Sequence, residues 1–224
     1  MKIYRNFFKR LIDFLLALIA LLILSPILAV CMIVLILTGE HEVFYFQKRM
    51  GYKNRPFFIW KFATMLKNSE KMGPGTITVR KDPRVLPFGR FLRKTKMNEL
   101  PQIFNVLLGT MSVVGARPLV ISGFEQYSDE IKAKVYATPP GITGIGSIVF
   151  RDEEHILSQG GNPQEIYNTK IAPYKGALEL WYQKNISFWV DIKIIILTFW
   201  VIIFPKSELH YKWLKGLPQK PEYL

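Results

Sequence analysis

Between Arg93 and Arg117 the sequence gathers residue types able to handle phosphate or a hard metal ion: Arg93, Glu99 and Arg117, with Asn98 directly before the glutamate. Arginine offers a planar fork that meets phosphate oxygens two at a time. A carboxylate supplies oxygen to a cation such as magnesium, which takes water and phosphate as its other ligands. Asn98 reads as a helix N-cap, its side-chain oxygen accepting an orphan backbone N–H. Pro101 then falls in the first turn, where a missing donor is harmless. Leu100, Ile103, Phe104 and Leu107 recur at helical spacing, and Gly109 is a natural stop. The pattern predicts a helix over 98–109 with Glu99 at its positive end, where a carboxylate stays ionised. The acidic group Asp152, Glu153, Glu154 and His155 has no metal-binding spacing and reads as a solvated run.

The rest of the chain must place these groups near something they can act on. It has 224 residues, half of them hydrophobic, and a formal net charge of +13. Being both apolar and basic points to an anionic membrane surface or a polyanionic substrate. Nucleic acid is set aside because no recognition motif accompanies the charge. Cys31 is the single cysteine and has no partner within the chain, which suits a reducing compartment.

Lys2, Arg5, Lys9 and Arg10 precede an apolar run from Phe14 to Leu37, interrupted only by Ser25-Pro26. As a helix it would reach about 36 Å, enough to cross a bilayer. A straight crossing would start in the cytoplasm and leave the strongly basic remainder outside. Pro26 offers another course. It bends the helix, the Ser25 hydroxyl can satisfy a freed carbonyl, and the chain can enter one leaflet and return. Asp13 is expected at headgroup level, paired with Arg10 or Lys9.

Val43–Arg49 and Pro56–Phe62 read as the strands of a hairpin joined by a turn at 51–55. Lys61 lies between Trp60 and Phe62 and so points away from their face, either as a solvated lysine or as a phosphate ligand. Residues 69–84 form a polar loop, Arg90 and Arg93 share a helical face, and a polar helix is expected over 123–136. Residues 138–147, rich in proline and glycine, read as an ordered loop leading to Arg151. The second apolar region, 181–204, reads as an amphipathic helix in the bilayer surface or as a buried core helix. Residues 206–224 are polar and are expected to be loosely ordered.

In this order the motifs resemble those of the bacterial monotopic phosphoglycosyl transferases, over roughly residues 5–205. The resemblance rests on Lys9-Arg10-Leu-Ile-Asp13, Ser25-Pro26, Phe46-Gln47-Lys-Arg49, Trp60-Lys61-Phe62, Asp82-Pro83-Arg84 and Phe88-Gly89-Arg90-Phe-Leu-Arg93. It continues through Asn98-Glu99-Leu-Pro-Gln, Met111-Ser112-Val-Val-Gly115-Ala-Arg117-Pro118, Pro140-Gly141-Ile-Thr-Gly144 and Asn185-Ile-Ser-Phe-Trp-Val-Asp191. It resembles the minimal form of the family, with no enzymatic domain before the membrane segment.

The resemblance implies an α+β, mainly helical fold in three parts. Residues 1–38 would be a re-entrant membrane helix bent at Ser25-Pro26. Residues 39–205 would be a small cytoplasmic domain with a short β-hairpin and an interfacial helix at about 185–204, and residues 206–224 a polar tail. It further implies an enzyme at the cytoplasmic face of the bacterial inner membrane that moves sugar-1-phosphate from a UDP-sugar to polyprenyl (undecaprenyl) phosphate. UMP is released, Mg2+ is required, and anionic lipids surround the anchor. This would be the first membrane step of glycoconjugate synthesis. Carried over by position, Asn98 and Glu99 occupy the catalytic pair, Glu99 is the metal ligand, and Lys61, Arg93, Arg117 and Arg151 bind substrate phosphate. The residues that read the sugar are expected in the loops at 69–84 and 151–174.

Three residues depart from the family pattern. Asn98 replaces the aspartate whose carboxylate would attack the sugar-bearing phosphate. It leaves open a substituted residue, attack by Glu99, direct transfer to the lipid phosphate, or an impaired relative that binds lipid or partners. Ala116 replaces a proline, which is expected to loosen the turn before Arg117. Ile145 replaces an aromatic residue, which is expected to alter nucleotide or lipid contacts.

Overall fold

The N-terminal run folds as one long helix, α1 (Lys9–Leu37), entered through a π-turn at Tyr4–Phe8. The structure is a computed structural model that describes residues 3–69, 72, 82–157 and 163–222. Most of the predicted 69–84 loop and part of the 151–174 loop lie outside the described residues. The span from Tyr4 to Leu37 is the one helix among the described residues long and apolar enough to cross a membrane. The helix is continuous through Pro26, and the Ser25 hydroxyl donates at 2.9 Å to the Leu22 carbonyl, the group that Pro26 leaves without its usual partner.

One face of α1 is buried along nearly its whole length, at Lys9, Asp13, Ala17, Leu28, Cys31 and Leu35. Ala17 packs with Ile59, Ile103, Val106 and Met111, while Leu28, Cys31 and Leu35 pack with Phe62 and Leu92. Leu18, Ile19, Leu22, Ile23, Val30 and Ile33 are exposed on the rest of its surface. Asp13 pairs with neither Arg10 nor Lys9. It accepts from the Ser112 hydroxyl and the Val113 amide, while Lys9 pairs with Asp191 at 2.6 Å.

The predicted hairpin is present as β1 (Phe44–Met50) and β2 (Pro56–Phe62), antiparallel, with Tyr45 opposite Lys61 and Arg49 opposite Phe57. Its period of two sends Phe44, Trp60 and Phe62 to one face, where Phe44 stacks on Phe62. Gln47, Arg49, Ile59 and Lys61 share the other face. Helix α2 (Pro87–Lys94) follows, then a 3-10 turn at Met97–Glu99 and helix α3 (Gln102–Leu108). The helix predicted from Asn98 thus begins only at Gln102, and its N-cap, Pro101, contributes no side-chain hydrogen bond. Lys96 is the reason: its φ of 60° reverses the chain and leads it into the tight turn.

The segments Ser112–Val114 (β3) and Gly141–Thr143 (β4) pair in parallel. They lie so close that a Cβ on Gly141 would stand 2.1 Å from the Gly115 amide nitrogen. The expected loop at 138–147 is therefore partly strand, and it runs into α6 (Ile145–Val149). The helix expected over 123–136 is instead two, α4 (Ile121–Glu125) and α5 (Asp129–Lys134). Ser128 is extended between them, and the Tyr127 ring is buried.

Short helices α7 (Glu153–Leu157) and α8 (Pro163–Ile166) and a π-turn lead to α9 (Ala172–Asn185). Ser187 caps α10 (Phe188–Ile203) by accepting from the Val190 amide. The buried-core reading holds for one face of α10, and the other face is apolar and uncovered. Ile194, Leu197 and Val201 are buried, whereas Trp189, Phe199, Ile202 and Ile203 are exposed. The C-terminal segment is more ordered than its composition suggests. After α11 (Leu209–Trp213), Leu214 and Leu217 are buried in the main core, the Trp181 indole donates to the Lys215 carbonyl, and Tyr174 donates to Pro218.

Candidate active site

The hairpin, α3 and the loop after β3 meet at Glu99. Asn105 on α3 joins the first two: its side chain accepts the Trp60 amide proton at 2.9 Å and donates to the Phe58 carbonyl at 2.8 Å. This sets Lys61 against Glu99, with Nζ 3.5 Å from Oε1. Arg117 approaches the same oxygen, with Nη2 at 3.6 Å.

The Arg117 loop is held from three sides. Tyr136 donates to the Arg117 carbonyl and accepts the Leu119 amide proton. The Met50 amide donates to the Leu119 carbonyl. Arg49 spans Gln47 and the Pro118 carbonyl. The expected loosening at Ala116 is not seen: it is buried, and its carbonyl accepts the Gly141 amide proton at 2.9 Å.

The result is an open cleft lined by Arg49, Ile59, Lys61, Glu99, Gln102, Arg117, Pro118 and Gly141. Three cations face one carboxylate, which leaves positive charge in excess. Burial alone would raise the Glu99 pKa, but Arg117, Lys61 and Lys96 outweigh it and hold the carboxyl at about 2. Burial pushes Lys61 down to about 8, opposed by Glu99 and reinforced by Arg49 and Arg117. Burial likewise pushes Arg49 down to about 10, with Arg117 adding to the effect. The geometry presents a concentrated positive field to an anion, and contacts of 3.5–3.6 Å leave Glu99 room for a further ligand.

Of the residues singled out in the sequence, Lys61, Glu99 and Arg117 come together. Arg93 stands on α2 with its guanidinium 3.5 Å from the Thr64 hydroxyl, two residues beyond β2. The structure does not bring Arg151 to this group, because its guanidinium donates to the Val201 carbonyl on α10. Ile145 is wholly buried in the core and does not line the cleft. Asn98 lies in the 3-10 turn and caps nothing. Its Oδ1 is buried and has no hydrogen-bond partner among the described residues.

That orphaned oxygen bears on magnesium. Among the described residues no group of three or more His, Cys, Asp or Glu side chains is placed to hold a metal ion. Magnesium rarely uses one. It takes one or two protein oxygens and fills its octahedron with water and phosphate. Glu99 offers the cleft one carboxylate, and the preceding residue, Asn98, holds a buried side-chain oxygen with no partner among the described residues; these are donors of the kind such an ion takes.

Sequence reasoning missed Arg49, Gln102 and Asn105. Arg49 was within reach of the alternation that placed Lys61, since both lie on the same hairpin face. Gln102 stood in the Asn98-Glu99-Leu-Pro-Gln motif with no role attached, and Asn105 carried no signal beyond a helical position.

Comparison with known proteins identifies the family. The profile of the family described as bacterial sugar transferase matches residues 4–205. The UDP-glucose:undecaprenyl-phosphate glucose-1-phosphate transferase of Klebsiella pneumoniae is 38% identical over 196 residues, covering 85% of this chain and 39% of that protein. The protein of the same description from Escherichia coli K12 is 36% identical, with 85% and 39% covered. The UDP-N-acetylgalactosamine-undecaprenyl-phosphate N-acetylgalactosaminephosphotransferase of Aeromonas hydrophila is 34% identical, with 88% and 44% covered. The chain therefore spans less than half the length of these relatives.

Proposed function

Since the chain belongs to the bacterial sugar transferase family, we propose that it transfers sugar-1-phosphate from a UDP-sugar to undecaprenyl phosphate and releases UMP. The observation that carries this reading is the convergence of Arg49, Lys61 and Arg117 on a cleft with a single carboxylate. Such a field suits a diphosphate. The cleft is open to solvent, so the nucleoside and sugar would extend beyond it.

In this reading Lys61, Arg49 and Arg117 bind the diphosphate and stabilise the charge that moves onto the leaving UMP. Asn98 and Glu99 would hold Mg2+ through Oδ1 and the carboxylate. When bound, the ion withdraws charge from the phosphate oxygens. Asn98 is neutral and cannot serve as the nucleophile. Glu99 is strongly stabilised as an ion by its cationic neighbours, which weakens it as one. The reading is therefore direct transfer. A lipid phosphate oxygen bonds to the sugar-bearing phosphorus, the bridging P–O bond breaks, and its electron pair leaves on UMP.

The anchor fits the same reading. Residues on both sides of Pro26 pack against one domain, so a helix carrying its second half straight to the far leaflet would strip Leu28, Cys31 and Leu35 from Phe62 and Leu92. A re-entrant course keeps these contacts and leaves both ends cytoplasmic. The exposed faces of α1 and α10 would lie in the bilayer and its interface, among anionic lipids that answer the net charge of +13.

The test uses the full chain in lipid vesicles with undecaprenyl phosphate, Mg2+ and UDP-glucose, UDP-galactose or UDP-N-acetylgalactosamine. UMP release with at least one donor is expected. No release with any of them would overturn the reading. A phosphosugar trapped covalently on the protein would overturn direct transfer alone.

A further inference from the structure

We infer that Arg10 and Asp13 of the membrane-side helix are positioning residues, which fix through direct hydrogen bonds the two segments that carry Glu99 and Arg117. The inference deepens the transferase reading and rests on it.

Arg10 works at the end of α3. Its guanidinium donates to the Val106 and Leu107 carbonyls in the last turn, where an α-helix lacks its usual i+4 donors; the Val106 carbonyl also accepts the Gly109 amide proton. A cation is also favoured at that end by the helix dipole. Gly109, with φ of 83°, ends the helix there, and a Cβ on it would meet the Arg10 guanidinium at 3.0 Å. The other end of the same short helix follows Glu99 by three residues. Arg10 therefore sets where α3 stops, and α3, pinned by Asn105 to β2, sets where Glu99 stands relative to Lys61.

Asp13, one turn further along α1, works on β3. Its two oxygens accept from the Ser112 hydroxyl at 2.7 Å and the Val113 amide at 2.9 Å, and the side chain is buried. Strand β3 runs directly into Gly115-Ala116-Arg117. Ser112 also lies 2.9 Å from the Val114 carbonyl. The carboxylate thus reaches the strand two to three residues before its exit toward Arg117. Lys9 completes the attachment from the same turn of α1. Its buried ion pair with Asp191 is shared with the Tyr4 and Tyr182 hydroxyls, both of which donate to Asp191.

An anchor needs none of this. Apolar side chains alone hold a helix in lipid, and a basic residue near its start serves orientation without a defined partner. Here the polar residues of α1 turn inward and bind backbone groups of the catalytic segments. Displacement of a catalytic group by about 1 Å can cost two orders of magnitude in rate, so these contacts matter to chemistry even if the domain survives their loss.

The experiment compares Arg10→Ala, Arg10→Lys, Asp13→Asn and Ser112→Ala with the unmodified chain in phosphatidylglycerol-containing vesicles, using UDP-glucose or whichever UDP-sugar the unmodified chain turns over. Membrane-bound fraction, melting temperature, kcat per bound molecule and KM for the UDP-sugar are measured. Arg10→Ala and Asp13→Asn are expected to lower kcat by about tenfold or more, with the bound fraction unchanged and Arg10→Lys recovering part of the loss. Ser112→Ala removes one bond and leaves the Val113 contact, so it reports on Asp13 even if Asp13→Asn fails to fold. Amide exchange is read in parallel, and it should quicken in 97–108 and 112–117 while the β1–β2 hairpin keeps its protection. If kcat per bound molecule stays within about twofold and exchange does not change, the inference is overturned. It is overturned equally if activity is lost only in proportion to bound or folded protein. If the unmodified chain turns over no UDP-sugar, the transferase reading fails instead, and exchange together with UDP-glucose affinity still decides the structural coupling.

Discussion

Asn105 accepts the Trp60 amide proton at 2.9 Å, so a single side chain on α3 fixes the strand that carries Lys61. It simultaneously donates to the Phe58 carbonyl and is almost wholly buried. Asn105→Leu would leave one backbone N–H and one carbonyl buried without partners. Each such group costs about 1–3 kcal/mol. We expect a fall in stability on the order of 3 kcal/mol, read by denaturant unfolding, and a rise in KM for the UDP-sugar as Lys61 loses its register. An unchanged unfolding midpoint would show that the two elements are held by something else.

Glu99→Gln keeps the size of the side chain and removes its charge. Lys61 and Arg117 would then face each other without a counter-ion, and the proposed magnesium site would lose its carboxylate. UMP release is expected to drop by about 100-fold or more, with little change in melting temperature. A variant retaining more than a tenth of the activity would remove Glu99 from its assigned role.

Asn98→Asp places a second carboxylate where a buried amide oxygen now lacks a partner. The Mg2+ concentration for half-maximal activity is expected to fall, and turnover to hold or rise. A titration in which the variant needs as much magnesium as the parent, or more, would show that Oδ1 is not a metal ligand.

Lys61, pushed down by burial to about 8, is a cation below that pH and neutral above it. Binding of the diphosphate by this residue should weaken as pH rises through about 8. The profile of kcat/KM, which reports the free enzyme, is expected to fall on its alkaline side there. Lys61→Arg keeps its charge at high pH, so its profile should lose that limb even if its peak is lower. An alkaline limb retained in the arginine variant would assign the titration elsewhere.

Glu179 on α9 is buried, and neither carboxylate oxygen has a hydrogen-bond partner among the described residues. Burial lifts it from an ordinary value of 4.5 to about 7, offset only in part by the positive charges of Lys175 and Arg117. The folded state therefore holds the proton more tightly than the unfolded chain. The resulting stability is fully present below about 4.5 and is lost as pH rises to about 7. The loss is on the order of 3 kcal/mol. Glu179→Gln should be more stable than the parent at pH 8 and show a flatter dependence, measured by thermal melts at several pH values. A parent at least as stable as the variant at pH 8 would refute this.

What the sequence disclosed and what it hid follow from range. The two faces of the hairpin were legible because alternation is local, and Lys61 turned from the aromatic face as its neighbours require. Ser25 and Pro26 were legible for the same reason, since donor and orphaned carbonyl lie within one turn. The Asn98 cap was misread because Lys96 adopts a left-handed conformation that no neighbouring residue announces. Arg151 carried the right charge, but only the packing of α10 decides which carbonyl it meets. Lys9 and Asp191 stand 182 positions apart, and charge alone could not choose between Asp191 and the nearer Asp13. Gln102 and Asn105 needed knowledge of the strand they face.

The C-terminal segment leaves a practical lesson about boundaries. The stretch shared with the family ends at residue 205. Leu214 and Leu217 nonetheless fill the core beside Trp181 and Tyr182, and the backbone at 215 and 218 receives side-chain hydrogen bonds from α9. The segment beyond the matched stretch is thus part of the folded core. A fragment trimmed to the region of homology would open a hole behind α9 and α10 and shed the lid over two aromatic residues, and its weakness would be mistaken for a property of the enzyme.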